Sequence, residues 1–190
     1  MILDMLEITG TPILSGADNG VAAFAALLCQ IKMDPDDPTL IFVDFKDIEF
    51  ASGSFLRESV FEFKKYVRSS YPSLYPVVVN ISNDIAEDLL LLAKARSDVL
   101  MSCTLDDENN PEAPVLIGSL EPKQSMTLEL VETLGVTDAK SLMSNHGESE
   151  GNLSANAWNN RLAALAGRGL IREYSIGRAK SYRPLLTGDG

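Results

Sequence analysis

Short apolar runs and amphipathic stripes alternate along the first 120 residues. Continuous β-rich apolar runs predict strands covered on both faces, and they occupy Thr39–Phe45, Tyr75–Ile81 and Val99–Leu105. Between these runs, helical spacing predicts one helix over Phe55–Ser69 and another from about Asn83 to Arg96. Strands that alternate with helices in this way predict an α/β fold, in which helices pack on a mixed or parallel sheet.

Weaker patterns predict further elements on either side of this alternation. Ile2–Ile8 alternates well enough to form a first strand, and Thr11–Leu14 is a candidate to return beside it. Apolar residues over Val21–Lys32 predict a helix that a polar side chain at position 18 or 19 would cap. Towards residue 120, the polar stretch Asp106–Pro114 predicts a surface loop, and Val115–Gly118 predicts a last strand.

The pattern changes near residue 120, where we place a domain boundary. Three helices are predicted after it, followed by two strands and a four-residue loop between them: Gln124–Leu134, Thr137–Met143, Ala155–Ala166, Leu170–Ile176 and Ser181–Leu186. Three helices followed by a two-stranded wing are the plan of a winged helix-turn-helix domain. The sequence therefore predicts an α/β domain over residues 1–120 and a small winged-helix domain over residues 121–190.

Charge divides the chain at the same place. The net charge of −11 comes wholly from residues 1–120, which hold eight basic and nineteen acidic residues, because the remainder holds eight of each. Within residues 152–187, six basic residues stand against Glu173 alone. The acidic body argues against nonspecific coating of nucleic acid or anionic membrane, whereas the cationic end is suited to an anionic partner.

The sequence shows no pattern of export or membrane insertion. The first ten residues, MILDMLEITG, lack the basic region and apolar core of a signal peptide. The longest apolar runs, such as Val21–Cys29, are too short to cross a bilayer. We therefore expect a cytoplasmic protein without a membrane partner.

Residue types that carry enzymatic chemistry are sparse. Cys29 and Cys103 lie in apolar stretches, which predicts two buried thiols, and no Cys/His cluster predicts a metal site. His146 is the only histidine, and it lies in a polar stretch predicted as an exposed loop. The chain also lacks a glycine-rich phosphate-binding motif, so we expect no enzymatic activity, metal or cofactor.

The segment Val43–Phe55, VDFKDIEFASGSF, resembles the signature of the STAS and STAS-like families, which include the anti-sigma-factor antagonists. The resemblance extends over about Gly10–Cys103. In the antagonists a partner kinase phosphorylates a serine at the turn that opens a helix, and the motif match implies that role for Ser54, with Ser52 as a second candidate. The implied partner is a protein, such as a GHKL-type kinase or an anti-sigma-like factor.

A helix N-terminus is a favourable place for phosphate, because its free amides and the helix dipole attract negative charge. The alternative is that Ser52 or Ser54 simply caps the helix, with Ser54 as the favoured cap.

The last predicted helix and the wing together predict a surface for nucleic acid. At about 100° per residue, Trp158, Leu162 and Leu165 share the inner face. The candidate DNA-binding residues are the asparagines on the outer side and flank and the wing cations: Asn156, Asn159, Asn160, Arg178, Lys180 and Arg183. Asparagine can read adenine in the major groove, and wing cations would lie against phosphates.

The stretch Lys123–Leu186 resembles bacterial winged-helix domains, which implies double-stranded DNA or a protein as the ligand. These features predict a non-enzymatic bacterial regulatory protein, in which a STAS-like protein-binding switch is coupled to a winged-helix DNA-binding domain. The alternative is an interaction subunit of a larger complex, in which the winged helix does not bind DNA. The partner, the DNA sequence and the oligomeric state stay open.

Overall fold

The computed structural model describes residues 1–147, 153–177 and 179–186. The chain forms two compact units, Met1–Ser119 and Leu120–Gly190. A five-stranded sheet with helices makes up the first unit, and helices with a two-stranded hairpin make up the second. Within the described ranges, every helix is too short or too polar to cross a membrane.

The first unit, all of which is described, alternates strands and helices. Its strands are β1 (Ile2–Asp4), β2 (Ile13–Leu14), β3 (Thr39–Asp44), β4 (Phe50–Ala51), β5 (Leu74–Val79), β6 (Val99–Leu105) and β7 (Pro111–Gly118). Its helices are α1 (Met5–Thr9), α2 (Ala17–Cys29), α3 (Gly53–Leu56), α4 (Glu62–Ser70) and α5 (Asn83–Arg96). A π-helical turn, Arg57–Phe61, joins α3 to α4, so residues 53–70 form one helix with an internal bulge.

The main sheet has the strand order β1-β3-β5-β6-β7. The first four strands are parallel neighbours, and β7 is antiparallel to β6. Each step between parallel strands needs a crossover, which is supplied by α1 and α2, by α3 and α4, and by α5. The predicted α/β class, with a mixed, mostly parallel sheet and flanking helices, is confirmed.

The main core of this unit lies between the sheet and the helices. Strand residues such as Ile41, Val43 and Val78 belong to one buried cluster with Phe63 and Leu89 from the helices. Burying an apolar side chain of this size stabilises the fold by about 1.5–3 kcal/mol. The amphipathic stripes of the sequence therefore become the contacts that fix the helices on the sheet.

The amino-terminal segment differs from its predicted strand. Only Ile2–Asp4 pairs with β3, because the Asp4 carboxylate accepts hydrogen bonds from the amides of Leu6 and Glu7 (2.7 and 3.1 Å) and caps α1. The predicted return of Thr11–Leu14 beside the first strand is also wrong. Instead, β2 pairs in parallel with β4, which places the beginnings of α2 and α3 side by side.

Two other boundaries in this unit are corrected. Helix α2 begins four residues before its predicted start, with Gly16 as the N-cap, so Asp18 and Asn19 lie inside the first turn. Gly16 has φ +86°, a backbone conformation that favours glycine. Strand β7 begins at Pro111, inside the predicted loop, because Pro111 and Glu112 pair with Leu105 and Thr104 of β6.

The described residues of the second unit form helices followed by an antiparallel hairpin. These elements are α6 (Pro122–Leu134), α7 (Ala139–His146), α8 (Ala155–Gly167), β8 (Ile171–Ile176) and β9 (Ala179–Pro184). Thr137, between α6 and α7, forms an antiparallel bridge with Tyr182 of β9 through backbone hydrogen bonds of 3.0 and 2.8 Å. The predicted inner face of α8 is confirmed, since Trp158, Leu162 and Leu165 are fully buried.

Three details of the second unit differ from the sequence prediction. Helix α7 is capped by Asp138 rather than Thr137, and it extends to His146, which is half-buried instead of lying in an exposed loop. The Asp138 carboxylate accepts the backbone amide of Ser141, which lowers the pKa of Asp138. Strand β9 begins at Ala179, two residues before its predicted start at Ser181. Residues 148–151 of the predicted loop lie outside the described residues.

Candidate functional site

The serine turn, Ser52–Ser54, follows β4 and includes the first two residues of α3 in the first unit. Ser52 has an extended backbone and is the N-cap of α3, because its hydroxyl accepts a hydrogen bond from the Phe55 amide at 3.3 Å. The same oxygen accepts the Gly16 amide at 3.3 Å. Ser52 therefore fastens the beginning of α2 to the beginning of α3.

Ser54 lies two residues after Ser52, inside the first turn of α3. Its Oγ is 3.2 Å from the Oγ of Ser52, and both residues are half-buried. The structure corrects the prediction that Ser54 is the favoured cap, because the residue with the extended backbone is Ser52. Ser54 is therefore the serine whose hydroxyl accepts no backbone amide among the described residues.

The helix after the serine turn is held against α2 by a close backbone approach. The π-helical turn follows α3 directly, and buried Ser59 donates a hydrogen bond to the Phe55 carbonyl at 2.7 Å. A Cβ atom at Gly20 of α2 would lie 2.7 Å from that carbonyl oxygen, so only glycine fits without movement. Sequence periodicity missed Gly20 and Ser59, because it reports which face is apolar and not how closely two helices approach.

Helix α8 presents three exposed asparagines in the second unit. The Ser154 hydroxyl caps it by accepting the Ala157 amide at 3.3 Å. Asn156, Asn159 and Asn160 are all exposed, as the helical projection predicted. Amide side chains in this setting can donate and accept hydrogen bonds at the edge of a base or on a protein surface.

Two cationic side chains of the hairpin contact other side chains of the same hairpin. Lys180 lies 2.7 Å from the Glu173 carboxylate, a diagonal contact across the hairpin that the sequence prediction did not include. The guanidinium of Arg183 stacks over the Tyr174 ring, 4.7 Å from its centroid. Arg178 lies outside the described residues. Two of the predicted wing cations, Lys180 and Arg183, thus already have partners within the hairpin.

The structure also places cations that sequence reasoning missed. The Arg161 guanidinium lies over the Trp158 ring at 5.1 Å, and Arg168 donates a hydrogen bond to the Gln124 side chain at 3.0 Å. Arg172 is buried and donates from Nε to the Pro184 carbonyl at 3.2 Å. A helical projection could have predicted the contact between Arg161 and Trp158, because they are three residues apart on one helix. It could not have predicted the contacts of Arg168 and Arg172, whose partners are distant in sequence.

The two cysteines differ in their surroundings. Cys103 is buried, and burial raises the pKa of its thiol to about 11, so it is an unreactive packing residue. Cys29, which was predicted to be buried, is exposed at the end of α2, because the buried stripe of that helix runs through Gly20, Ala23 and Leu27. In the described part of the chain, no group of three or more His, Cys, Asp or Glu side chains could hold a metal ion.

Comparison of the chain with protein-family models, with curated proteins and with solved structures gave no match. The STAS-like and winged-helix assignments therefore remain predictions. The serine turn of the first unit and the surface formed by α8 and the hairpin in the second are the features on which a function can be argued.

Proposed function

We propose that this protein is a non-enzymatic, cytoplasmic bacterial regulator, in which a STAS-like module is joined to a winged-helix domain that binds double-stranded DNA. The observation that carries the proposal is the order of elements in the second unit. Helices α6 to α8 precede the β8–β9 hairpin, and Thr137, between α6 and α7, forms a single antiparallel bridge with Tyr182 of β9. This order supports a winged helix, with α8 as its recognition helix.

The chemistry of α8 supports DNA as the ligand. Its three exposed asparagines can each make paired hydrogen bonds with adenine, and each good pair discriminates by about 1–3 kcal/mol. No acidic residue occurs within α8 itself, so a phosphate backbone would meet no local repulsion from this helix. The hairpin adds Lys180, whose charge is shared with Glu173 until a phosphate replaces the carboxylate.

The Lys180–Glu173 pair provides a sharp test of DNA binding. Lys180→Ala removes a phosphate contact and is expected to weaken binding roughly three- to tenfold at low salt. Glu173→Gln removes the competing carboxylate and is expected to strengthen binding roughly threefold. Gel-shift titrations of the intact protein with fragments of its own promoter regions measure both effects.

Lys94→Ala is the matched control, because Lys94 is an exposed cation on α5 of the acidic unit. We expect it to leave the shift unchanged. If the intact protein shows no DNA affinity at low salt, or if Glu173→Gln and Lys180→Ala change binding in the same direction, the DNA proposal is wrong.

We propose Ser54 as the phosphorylation switch of the STAS-like module, acted on by a protein partner such as a GHKL-type kinase or an anti-sigma-like factor. The support is the position of Ser54 in the first turn of the helix Gly53–Ser70, where a phosphate would lie near free amides. Ser52 supports the switch indirectly, because it takes the capping role, and among the described residues no backbone amide donates to the Ser54 hydroxyl.

The second candidate function is an interaction subunit whose winged helix binds protein. One observation favours it: in the described hairpin, Lys180 is paired with Glu173 and Arg183 stacks on Tyr174, so both cations already have protein partners. In that case the exposed asparagines of α8 would contact a protein surface. We then expect the unchanged protein to show no affinity for DNA. We also expect the Asn156→Ala and Asn160→Ala variants to lose binding to the protein partner.

A further inference from the structure

A cavity of about 240 Å³ lies in the first unit, between the segment that links α1 to β2 and one side of α2. Its floor includes the buried side chains of Leu14, Ala23 and Phe55. Ala22 stands at its exposed edge. Two alanines on the side of α2 leave the space open, because a larger residue at either position would extend into it.

Polar groups gather on another side of the cavity. Thr11, Ser15 and Asn19 line it, and all three are exposed. The Asn19 side chain donates to the Ser15 carbonyl at 2.7 Å, which fixes the orientation of its amide. Thr11 Oγ1 accepts the Ile13 amide at 3.2 Å and keeps its own proton to donate. Among the described residues, the Ser15 hydroxyl has no hydrogen-bond partner.

Size and charge define the class of ligand. A cavity of about 150 Å³ accommodates a benzene molecule, so this one has room for a ring with a polar substituent. Every residue that lines it is uncharged, which leaves nothing to pair with an ionised ligand. Asp18, exposed in the first turn of α2, would also repel an anion.

We propose that this cavity binds a neutral small molecule of about six to twelve non-hydrogen atoms. Its apolar part would lie over Ala22, Ala23 and Phe55, and its hydroxyl, carbonyl or amide group would bond to Ser15, Thr11 and Asn19. The site does not depend on DNA binding or on phosphorylation of Ser54.

Benzamide is the probe, since it joins an aromatic ring to a neutral amide. Titration of the ¹⁵N-labelled intact protein is expected to shift the amide resonances of Ser15, Asn19, Ala22 and Phe55, with a dissociation constant of about 1 mM for so small a ligand. Benzoate has nearly the same shape and carries a charge. We expect it to bind at least tenfold more weakly.

Three variants locate the site. Ala22→Trp fills the cavity from its exposed edge and is expected to weaken benzamide binding at least tenfold. Ala25→Trp is the matched control, because Ala25 is also exposed on α2 but does not line the cavity, and it should bind as the unchanged protein does. Ser15→Ala removes one hydrogen bond to the ligand and should weaken binding roughly two- to tenfold.

The proposal is wrong if benzamide causes no saturable shifts at these residues. It is also wrong if benzoate binds as tightly as benzamide, or if Ala22→Trp binds unchanged while its amide spectrum shows a folded protein. A DNA-binding result of either sign leaves these outcomes unaffected, so the two proposals fail separately.

Discussion

At the residue scale, Ser52 and Ser54 show how backbone conformation divides two identical side chains. Ser52 has an extended backbone, which aims its hydroxyl at the amides that begin α2 and α3. Ser54 is already helical and contacts Ser52 through the two hydroxyls. The sequence of the turn offers two serines as possible N-caps. The residue at which the helix begins decides which of them is the cap.

This difference predicts unequal losses of stability when the two serines are replaced by alanine. Ser52→Ala should lower the free energy of unfolding by about 1 kcal/mol, because an N-cap is lost, whereas Ser54→Ala should change it by less than about 0.5 kcal/mol. Urea denaturation measures the free energy of unfolding of both variants.

Phosphopeptide mass spectrometry of protein from its native cells should find phosphate on Ser54 and not on Ser52. Unmodified Ser54 under all growth conditions would count against the proposed switch.

At the scale of elements, the contact between α2 and the helix Gly53–Ser70 depends on one missing side chain. Because Gly20 has no side chain, the two backbones approach closely. A Cβ atom added at Gly20 would lie only 2.7 Å from the Phe55 carbonyl oxygen. The π-helical turn lies at this approach, and the Ser59 hydroxyl supplies a donor to the same carbonyl. Packing of the helix that carries Ser54 is therefore set partly from α2.

Gly20→Ala should lower the free energy of unfolding by about 1–2 kcal/mol, although alanine favours helix more than glycine does. The reason is that the new methyl group must push two backbones apart. Gly53→Ala is the control, since nothing lies within 4 Å of its Cβ position, and it should be neutral or stabilising by up to about 1 kcal/mol. Equal losses in the two variants would show that the close approach is unimportant.

At the scale of the whole molecule, charge is distributed unevenly. Residues 1–120 carry the entire net charge of −11, and residues 121–190 are neutral in total. Within the described hairpin, Lys180 is already paired with Glu173. A DNA duplex would therefore meet no net positive charge on the second unit and a repulsive field from the first.

This distribution predicts a weak dependence of DNA affinity on salt. With about three phosphate contacts, the logarithm of the association constant should fall with the logarithm of salt concentration with a slope of about −3. Fluorescence anisotropy between about 20 and about 200 mM salt measures the slope. A slope steeper than about −6 would contradict this prediction, because it would require about twice as many phosphate contacts.

The sequence by itself determined the features that depend on a few neighbouring residues. The apolar runs became β3, β5 and β6, the helical spacing placed Trp158 inside and Asn156 outside, and the charge boundary could be read directly. These predictions succeed because strand and helix geometry fix which residues share a face. They fail at Ile2–Ile8, where the Asp4 cap competes with an alternation that is equally local.

The tertiary structure decided the pairings between distant segments. The Gly16 amide meets the Ser52 hydroxyl across 36 residues, β2 pairs with β4, and the cavity beside Ala22 needs Phe55 as its floor. Such contacts depend on the order of strands in the sheet and on how closely helices pack. Periodicity carries no information about either, because many chain arrangements bury the same apolar faces and differ only in the pairs they bring together.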